Sequence, residues 1–172
     1  MDIESLVKLA QKGDDNAFYE AISLNKEKMY VTAFSYVGNK EDALDIVQES
    51  VYKAYTSLKR LKEPKLFNTW ITRIIINCSI DHIRKNKKVI YVEHEQLLNQ
   101  MGAKEENHAE KIDLQNAINT LNEKHKSVII LKYFHQLTLT EVAEILEIPL
   151  GTVKTYLNKA LKELRIELRE EM

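Results

Sequence analysis

Two sets of polar side chains in this sequence are spaced for contact with nucleic acid. Lys154, Thr155, Asn158, Lys162 and Arg165, with Thr152 and Lys159 beside them, gather on one face at helical spacing. Short polar and basic groups on such a face can reach base edges and phosphates in a major groove when a helix–turn precedes them. The second set is a narrow stripe of Trp70, Arg73, Asn77, Asp81 and Arg84. It offers a ring that can stack, an amide that can bond a base edge and two guanidiniums for phosphates, the equipment for single-stranded nucleic acid. The competing readings are plainer. The first set could be the solvated face of an ordinary helical hairpin, and Trp70 could be a core residue among charges that only solubilise.

The elements that must carry these groups follow from apolar periodicity. Leu139, Val142, Ala143 and Leu146 define one face of a short helix, and Pro149 with Gly151 interrupts the pattern. Val153, Leu157, Ala160, Leu161, Leu164 and Leu168 then form the inward stripe of a longer helix, completing a helix-turn-helix pattern. Glu147 stands near the turn where a left-handed backbone is expected. A non-glycine residue there costs about 1 kcal/mol or more. Upstream, residues 68–86 read as a helix with two apolar sides. Ile71, Ile74, Ile75 and Cys78 make one side; Ile76, Ile80 and Ile83 make the other, with the Trp70–Arg84 stripe between them.

The rest of the chain reads as helix with few breaks. Ile3, Leu6, Val7 and Ala10 predict a first helix ended by Gly13, and Asp14 to Asn16 offer a cap for a second. That second helix carries Phe18, Ile22, Met29, Ala33 and Tyr36 to a turn at Gly38-Asn39. A third buries Leu44, Val47, Val51, Ala54, Tyr55 and Leu58 and presents Asp42, Asp45, Gln48, Glu49 and Tyr52, a face that is either plain surface or a dock for a basic partner. Leu61 to Phe67 is a basic loop, and Asn68 or Thr69 is the expected cap of the helix after it. Residues 89–112 lose periodicity and read as a flexible linker with a short helix near 96–101, longer than connections inside one compact domain. Leu114, Ala117, Ile118 and Leu121 begin a second unit, followed by a helix from Glu123 to Phe134. The expectation is an all-α protein of two small helical domains, 1–88 and 113–172, joined by a flexible linker at 89–112, the second a helix-turn-helix domain.

Composition narrows the function classes. The chain is 44% apolar with only four Gly and two Pro, which suits helical cores. No apolar run approaches the roughly 18 residues of a membrane span, and Met1-Asp2-Ile3-Glu4 lacks a secretion-signal pattern. A cytoplasmic protein is expected. Cys78 is the single cysteine, so neither a disulfide framework nor a cysteine zinc site is expected. No phosphate loop or nucleophile motif is present, and Glu93-His94-Glu95 in a polar linker makes a poor metal site; neither an enzyme nor a cofactor is expected. The net charge of −1 hides a strong asymmetry: ten bases against two acids in residues 51–88, ten acids against five bases in residues 1–50. That distribution fits a nucleic-acid surface beside an acidic face with another purpose.

Taken in order, these segments resemble the extracytoplasmic-function group of bacterial sigma-70-type initiation factors. Asp42-Ala43-Leu44-Asp45-Ile46-Val47-Gln48-Glu49-Ser50 is similar to the family's region 2 helix. Phe67 to Asn77 with Asp81-His82-Ile83-Arg84 is similar to its promoter-melting helix, and Pro149 to Thr155 to its region 4 recognition helix. Ala33-Phe34-Ser35-Tyr36-Val37 resembles the sigma-V-like, envelope-stress branch. Glu147 in place of the usual Gly, and Ile75 where a small Ala is common, are departures.

The resemblance implies a factor that directs core RNA polymerase to promoters. It implies that Asp45, Gln48 and Glu49 meet the clamp helices of the largest polymerase subunit, with the flap as a further contact. It implies that Lys62, Lys65, Phe67, Trp70, Asn77, Asp81, Arg84, Lys85, Lys87 and Lys88 serve the melted −10 strand. Lys132, Thr152, Lys154, Thr155, Asn158, Lys159 and Lys162 would serve the −35 duplex. It also implies an anti-sigma factor, commonly membrane-anchored, with no direct membrane insertion by this chain. A helix-turn-helix regulator binding an operator as a dimer is the second reading, and it leaves the basic 51–88 segment without a task.

Overall fold

The computed structural model describes the backbone of residues 1–97 and 109–170 and the side chains of residues 1–86 and 114–166. Among them the regular structure is helical. The first half opens with α1 (Ile3–Gln11) and α2 (Asp15–Ser23), each started by an aspartate, Asp2 or Asp14, whose carboxylate accepts a backbone N–H of the first turn. The expected single helix from Asp15 to Val37 is in fact two. After α2 the chain breaks at Leu24-Asn25 and resumes as α3 (Lys26–Val37). Buried Asn25 accounts for the break: its side-chain amide donates to the Ala21 carbonyl and to Asn68 Oδ1, both at 3.1 Å. Gly38 ends α3 at φ +74°, and Asn39 caps α4 (Lys40–Ser57).

The expected burial of Ala54, and of Leu58 just past the helix, holds, but over the rest of α4 the buried face is rotated one residue from the expected one. Ala43, Ile46, Ser50 and Ala54 face the core, whereas Leu44 and Tyr55 are exposed and Val47 and Val51 are half-buried. Small residues at 43, 50 and 54 let α4 lie close against its neighbours, and Ser50 satisfies its hydroxyl on the Ile46 carbonyl at 2.7 Å. The basic loop after α4 is held by Gln11, whose amide donates to the carbonyls of Leu58 (3.0 Å) and Leu61 (2.8 Å). A single 3-10 turn at Pro64–Leu66 leads directly into α5 (Phe67–Leu97), so the helix begins before the expected Asn68 or Thr69 cap. It also continues past Asn86 into the segment expected to be linker. Between Lys87 and Leu97 there is no Gly or Pro to stop a helix. Residues 98–108, with most of the expected short helix near 96–101, lie outside the described residues.

The second half comprises α6 (Ala109–Thr120), α7 (Glu123–Ile129), α8 (Leu139–Leu146) and α9 (Leu150–Glu170). The expected helix from Glu123 to Phe134 keeps its direction but widens into a π-turn over Ile130–Phe134. Ala117, Ile118, Leu121, Ile129, Ala160 and Leu164 form a small core between α6, α7 and α9.

The two apolar sides of α5 have different partners. Ile71, Ile75 and Cys78, with half-buried Ile74, pack into the first-half core around Leu6, Val7, Phe18, Ala33, Ile46 and Phe67. Ile76, Ile80 and Ile83, together with Tyr36 and Val37 of α3, instead pack on Val128, Ile130, Leu131, Val142, Ile145 and Val153 of the second half. One core therefore runs across the seam between the halves. Phe67, expected at the DNA surface, is wholly buried and touches the ring of half-buried Trp70 with centroids 5.7 Å apart. It supports the surface from beneath, because its ring fills the joint between the basic loop and α5.

Candidate nucleic-acid interface

The helix-turn-helix is built from local rules. Thr138 caps α8 in a reciprocal box: its hydroxyl accepts the Glu141 N–H, and the Glu141 carboxylate accepts the Thr138 N–H at 2.7 Å. The Thr138 N–H first, and the Thr138 hydroxyl donating at 2.8 Å second, hold the Glu141 carboxyl below the usual range. At the other end Glu147 takes the left-handed conformation, φ 56° and ψ 42°, and returns its N–H to the Ala143 carbonyl. The Pro149 carbonyl accepts the N–H groups of Thr152 and Val153 and starts α9. Val153 and Ala160 anchor this helix by full burial, which turns Lys154, Thr155, Asn158, Lys159, Lys162 and Arg165 to solvent. Thr152 is half-buried at the rim. Among the described residues Lys154, Lys159 and Lys162 form no ion pair, so three ammonium groups lie open on one face. Lys132 is set differently: half-buried, it donates to the Leu137 carbonyl at 3.2 Å within the loop before α8.

The stripe on α5 is placed by the burial of its two flanks. Asn77, Arg84 and Lys85 are exposed, as are Lys62 and Lys65 of the preceding loop; Trp70, Arg73 and Asp81 are half-exposed. Lys65 pairs with Glu63 at 3.2 Å. Lys87 and Lys88 continue the helix, with side chains outside the described residues. The two arginines do not stand alone. Arg73 donates to the carbonyls of Glu144 (through Nη2) and Ile145 (3.1 Å) at the end of α8 and approaches the Glu147 carboxylate at 3.2 Å. A cation at a helix C-terminus meets carbonyls that lack an intrahelical donor. Arg84 grips Glu123 of the second half through Nε, at 3.0 and 3.2 Å, and Nη2, at 2.7 Å. That carboxylate raises the Arg84 pKa further. Asn77 lies between the two arginines along a cleft of about 320 Å³ that α8 and Tyr156 close from the far side.

The acidic face of α4 borders the α5 stripe, since Lys53 of α4 lies 3.9 Å from Asp81 and Asp42 lies 3.3 Å from His82. Asp45 and Gln48 are exposed, and Glu49 is half-exposed with the Lys53 ammonium at 2.9 Å. The hydrogen bond from Lys53 holds the Glu49 carboxyl below the ordinary range. Beside Gln48, residues Phe18, Val47, Val51, Tyr52 and Tyr55 form a shallow apolar hollow, with Tyr52 exposed. Apolar and aromatic groups among polar ones suit a protein partner. Sequence periodicity missed this hollow because it counted Val47, Val51 and Tyr55 as core; the one-residue rotation toward Ala43, Ile46 and Ser50 was its signal.

With this geometry in place, family models identify the two halves. Residues 22–89 match sigma-70 region 2, and residues 111–164 match sigma-70 region 4. RNA polymerase sigma factor SigV of Bacillus subtilis is 41% identical over 150 residues, covering 87% of this chain and 90% of the relative. ECF RNA polymerase sigma factor SigW of the same organism is 35% identical over 184 residues, covering 99% and 98%. The chain belongs to the extracytoplasmic-function group of sigma-70 factors.

This sigma factor accordingly directs core RNA polymerase to promoters and initiates transcription there, which sets aside the operator-binding dimer. Its fold is shared with solved structures, a sigma factor among them. CnrH, solved in complex with the cytosolic domain of CnrY, superposes with a TM-score of 0.73 over 99% of both chains at 18% identity. Sigma factor RpoE, solved with the anti-sigma factor NepR from Bartonella quintana, gives 0.70 over 88% of this chain and 96% of that one at 19% identity. Among the described residues no helix is long and apolar enough to cross a membrane.

Proposed function

We propose that the sigma factor uses three surfaces in one initiation event. Asp45, Gln48 and Glu49 on α4, with the neighbouring Tyr52 hollow, dock on the clamp helices of the largest polymerase subunit, while the second half reaches the flap. The α9 face, Thr152, Lys154, Thr155, Asn158, Lys159 and Lys162, reads the −35 duplex, with Lys132 beside it. The α5 stripe, Trp70, Asn77, Asp81 and Arg84, takes the melted −10 strand, and Lys62, Lys65, Lys85, Lys87 and Lys88 neutralise its phosphates. Trp70 is half-buried, so it offers one side of its ring while the other packs on the core.

The observation that carries this reading is the open α9 face: three lysines with no ion pair among the described residues, a threonine and an asparagine, on the outward side of a helix anchored by buried Val153, Ala160 and Leu164. Each well-aligned base contact from it contributes about 1–3 kcal/mol of discrimination. The partner that silences the factor is an anti-sigma factor, a partner class present in the RpoE complex. A membrane-anchored one would tie release to a cell-envelope signal.

Purified core polymerase and a promoter template test the docking assignment. Gln48→Ala combined with Glu49→Ala is expected to weaken binding to core by about tenfold or more and to lower run-off transcript in proportion. Unchanged affinity for core would remove the α4 face from the docking surface.

A further inference from the structure

The basic loop that precedes α5 is held by a residue from a distant part of the sequence. Gln11, the last residue of α1, is half-buried, and its side-chain amide donates to the carbonyls of Leu58 at 3.0 Å and Leu61 at 2.8 Å, 47 and 50 positions away. Those two carbonyls bracket a 3-10 turn at Leu58–Arg60, after which the Leu61 N–H returns to the Leu58 carbonyl at 3.1 Å. Gln11 is itself fixed on both sides. Fully buried Leu6 and Val7 root α1 in the core that also holds Leu58, Phe67 and Ile71. Just after Gln11 the chain turns at Gly13, φ +102°, whose N–H meets the Ala10 carbonyl at 3.0 Å. The loop is anchored far less by its own side chains, since Lys59, Arg60, Lys62, Glu63 and Lys65 are all exposed. α1 also lies outside the match to sigma-70 region 2, which begins at residue 22.

We infer that Gln11 is a positioning residue for strand capture: by tying down Leu58 and Leu61 it sets where Lys62 and Lys65 present their ammonium groups relative to Trp70 and Asn77. The inference rests on the assignment of this loop and of the α5 stripe to the melted −10 strand. A single strand is gripped at two kinds of group at once, its phosphates by cations and its bases by rings and amides, so the spacing between the two sets has to match the strand. Burial of Phe67 and Ile71 sets the stripe. Lys62 instead follows directly on Leu61, the residue whose carbonyl Gln11 holds. A side-chain amide suits the task because its NH2 group carries two donors, one for each carbonyl. Being neutral, it also leaves the positive charge of the loop to the strand.

The test is open-complex formation by the holoenzyme on a promoter duplex, read by permanganate reactivity of the melted strand over a range of salt. Gln11→Met keeps a helix-compatible side chain of similar length and removes the donors. It is expected to lower the open-complex yield about fivefold, with affinity for core polymerase unchanged. Lys62→Ala combined with Lys65→Ala should lower the yield as well and reduce the salt slope by about 1.4, the share of two single-strand phosphates. The deciding measurement is the cycle between them. In the background lacking both lysines Gln11→Met should cause no further loss, since the groups it positions are gone. Asp2→Ala serves as the control, because it removes the cap at the other end of α1, where Asp2 accepts the Ser5 N–H at 2.8 Å. Any effect it has should be the same in both backgrounds, as for a purely structural change. A full further loss from Gln11→Met in the background lacking both lysines, or an unchanged yield in the natural one, would overturn the positioning role while leaving the loop on the strand. Unchanged yield and slope for the lysine variant would remove the loop from the strand, and the positioning role with it.

Discussion

The two basic surfaces of this sigma factor differ in what already holds their cations. On α9, Lys154, Lys159 and Lys162 project from a helix anchored by Val153 and Ala160 and have no ionic partner among the described residues. On α5, Arg73 and Arg84 are fixed by carboxylates and carbonyls of the opposite half. The difference arises from the number of buried flanks. A helix buried along one stripe leaves a wide face free, whereas a helix buried along two keeps only a narrow strip, whose polar groups meet whatever covers the second flank. Duplex recognition can be offered by a finished surface. Strand capture, which offsets a few kcal/mol of unstacking, falls on groups already engaged across the seam.

The largest effect that would break this contrast is loss of the second flank. Ile76→Ala removes a side chain only 3% exposed at the centre of the shared core. It is expected to cost about 2–5 kcal/mol in denaturant unfolding and to let the halves separate. A loss below 1 kcal/mol would mean the seam contributes little. On the open surface, Asn158→Ala should cost about 1–3 kcal/mol of discrimination at one position of the −35 element. Lys154→Ala should instead weaken all sequences alike and reduce the salt slope by about one. Equal effects of the two substitutions on every sequence would erase the distinction between reading and anchoring.

Smaller effects sharpen the seam. Glu147 holds a left-handed backbone at φ 56° while its side chain is 74% exposed, so its pairing with Arg73 is weakly stabilising and its backbone costly. Glu147→Gly is therefore expected to raise the melting free energy by up to about 1 kcal/mol despite losing the pair. A net loss would rank the ion pair above the backbone strain. The smallest expected effect concerns His135, whose Nε2 donates to Thr32 across the seam. Burial first, and the Lys28 ammonium second, lower its pKa. The unfolded chain then takes up this proton at a higher pH than the folded one. Its contribution is fully present above about pH 6.5 and is lost as the pH falls from there toward the depressed folded value. Unfolding at pH 7.5 and pH 5.5 should show a larger acid loss in the natural protein than in His135→Gln; parallel losses would assign the acid sensitivity elsewhere.

Much of this was legible in the residues. The turn at Gly38-Asn39, the helix-turn-helix and the left-handed Glu147 follow from local rules that need no partner. Where reading by period failed, a tertiary contact had overridden it. Asn25 split one predicted helix because its amide found Asn68, a residue 43 positions away. The face of α4 turned by one position because Ala43, Ser50 and Ala54 allow close approach, a matter of size more than of hydropathy. The motif puts Phe67 at the surface with its neighbours, whereas its ring is buried beneath them. The second apolar side of α5 was visible as Ile76, Ile80 and Ile83, and it required a cover. Nothing local could say that the cover would be the helix-turn-helix half, or that Glu123 and Glu147 would arrive with it.

The central claim is that one chain, held by polymerase, reads two separate promoter elements, one as duplex and one as strand. It is tested most directly by transcription with purified core polymerase over a library of randomised promoters, followed by sequencing of the templates that yield RNA. The account predicts enrichment of two short elements at one fixed spacing, with the upstream element lost for the Lys154→Ala, Asn158→Ala protein and the downstream one lost for Asn77→Ala. Enrichment of a single element, or RNA yield independent of the added protein, would contradict it.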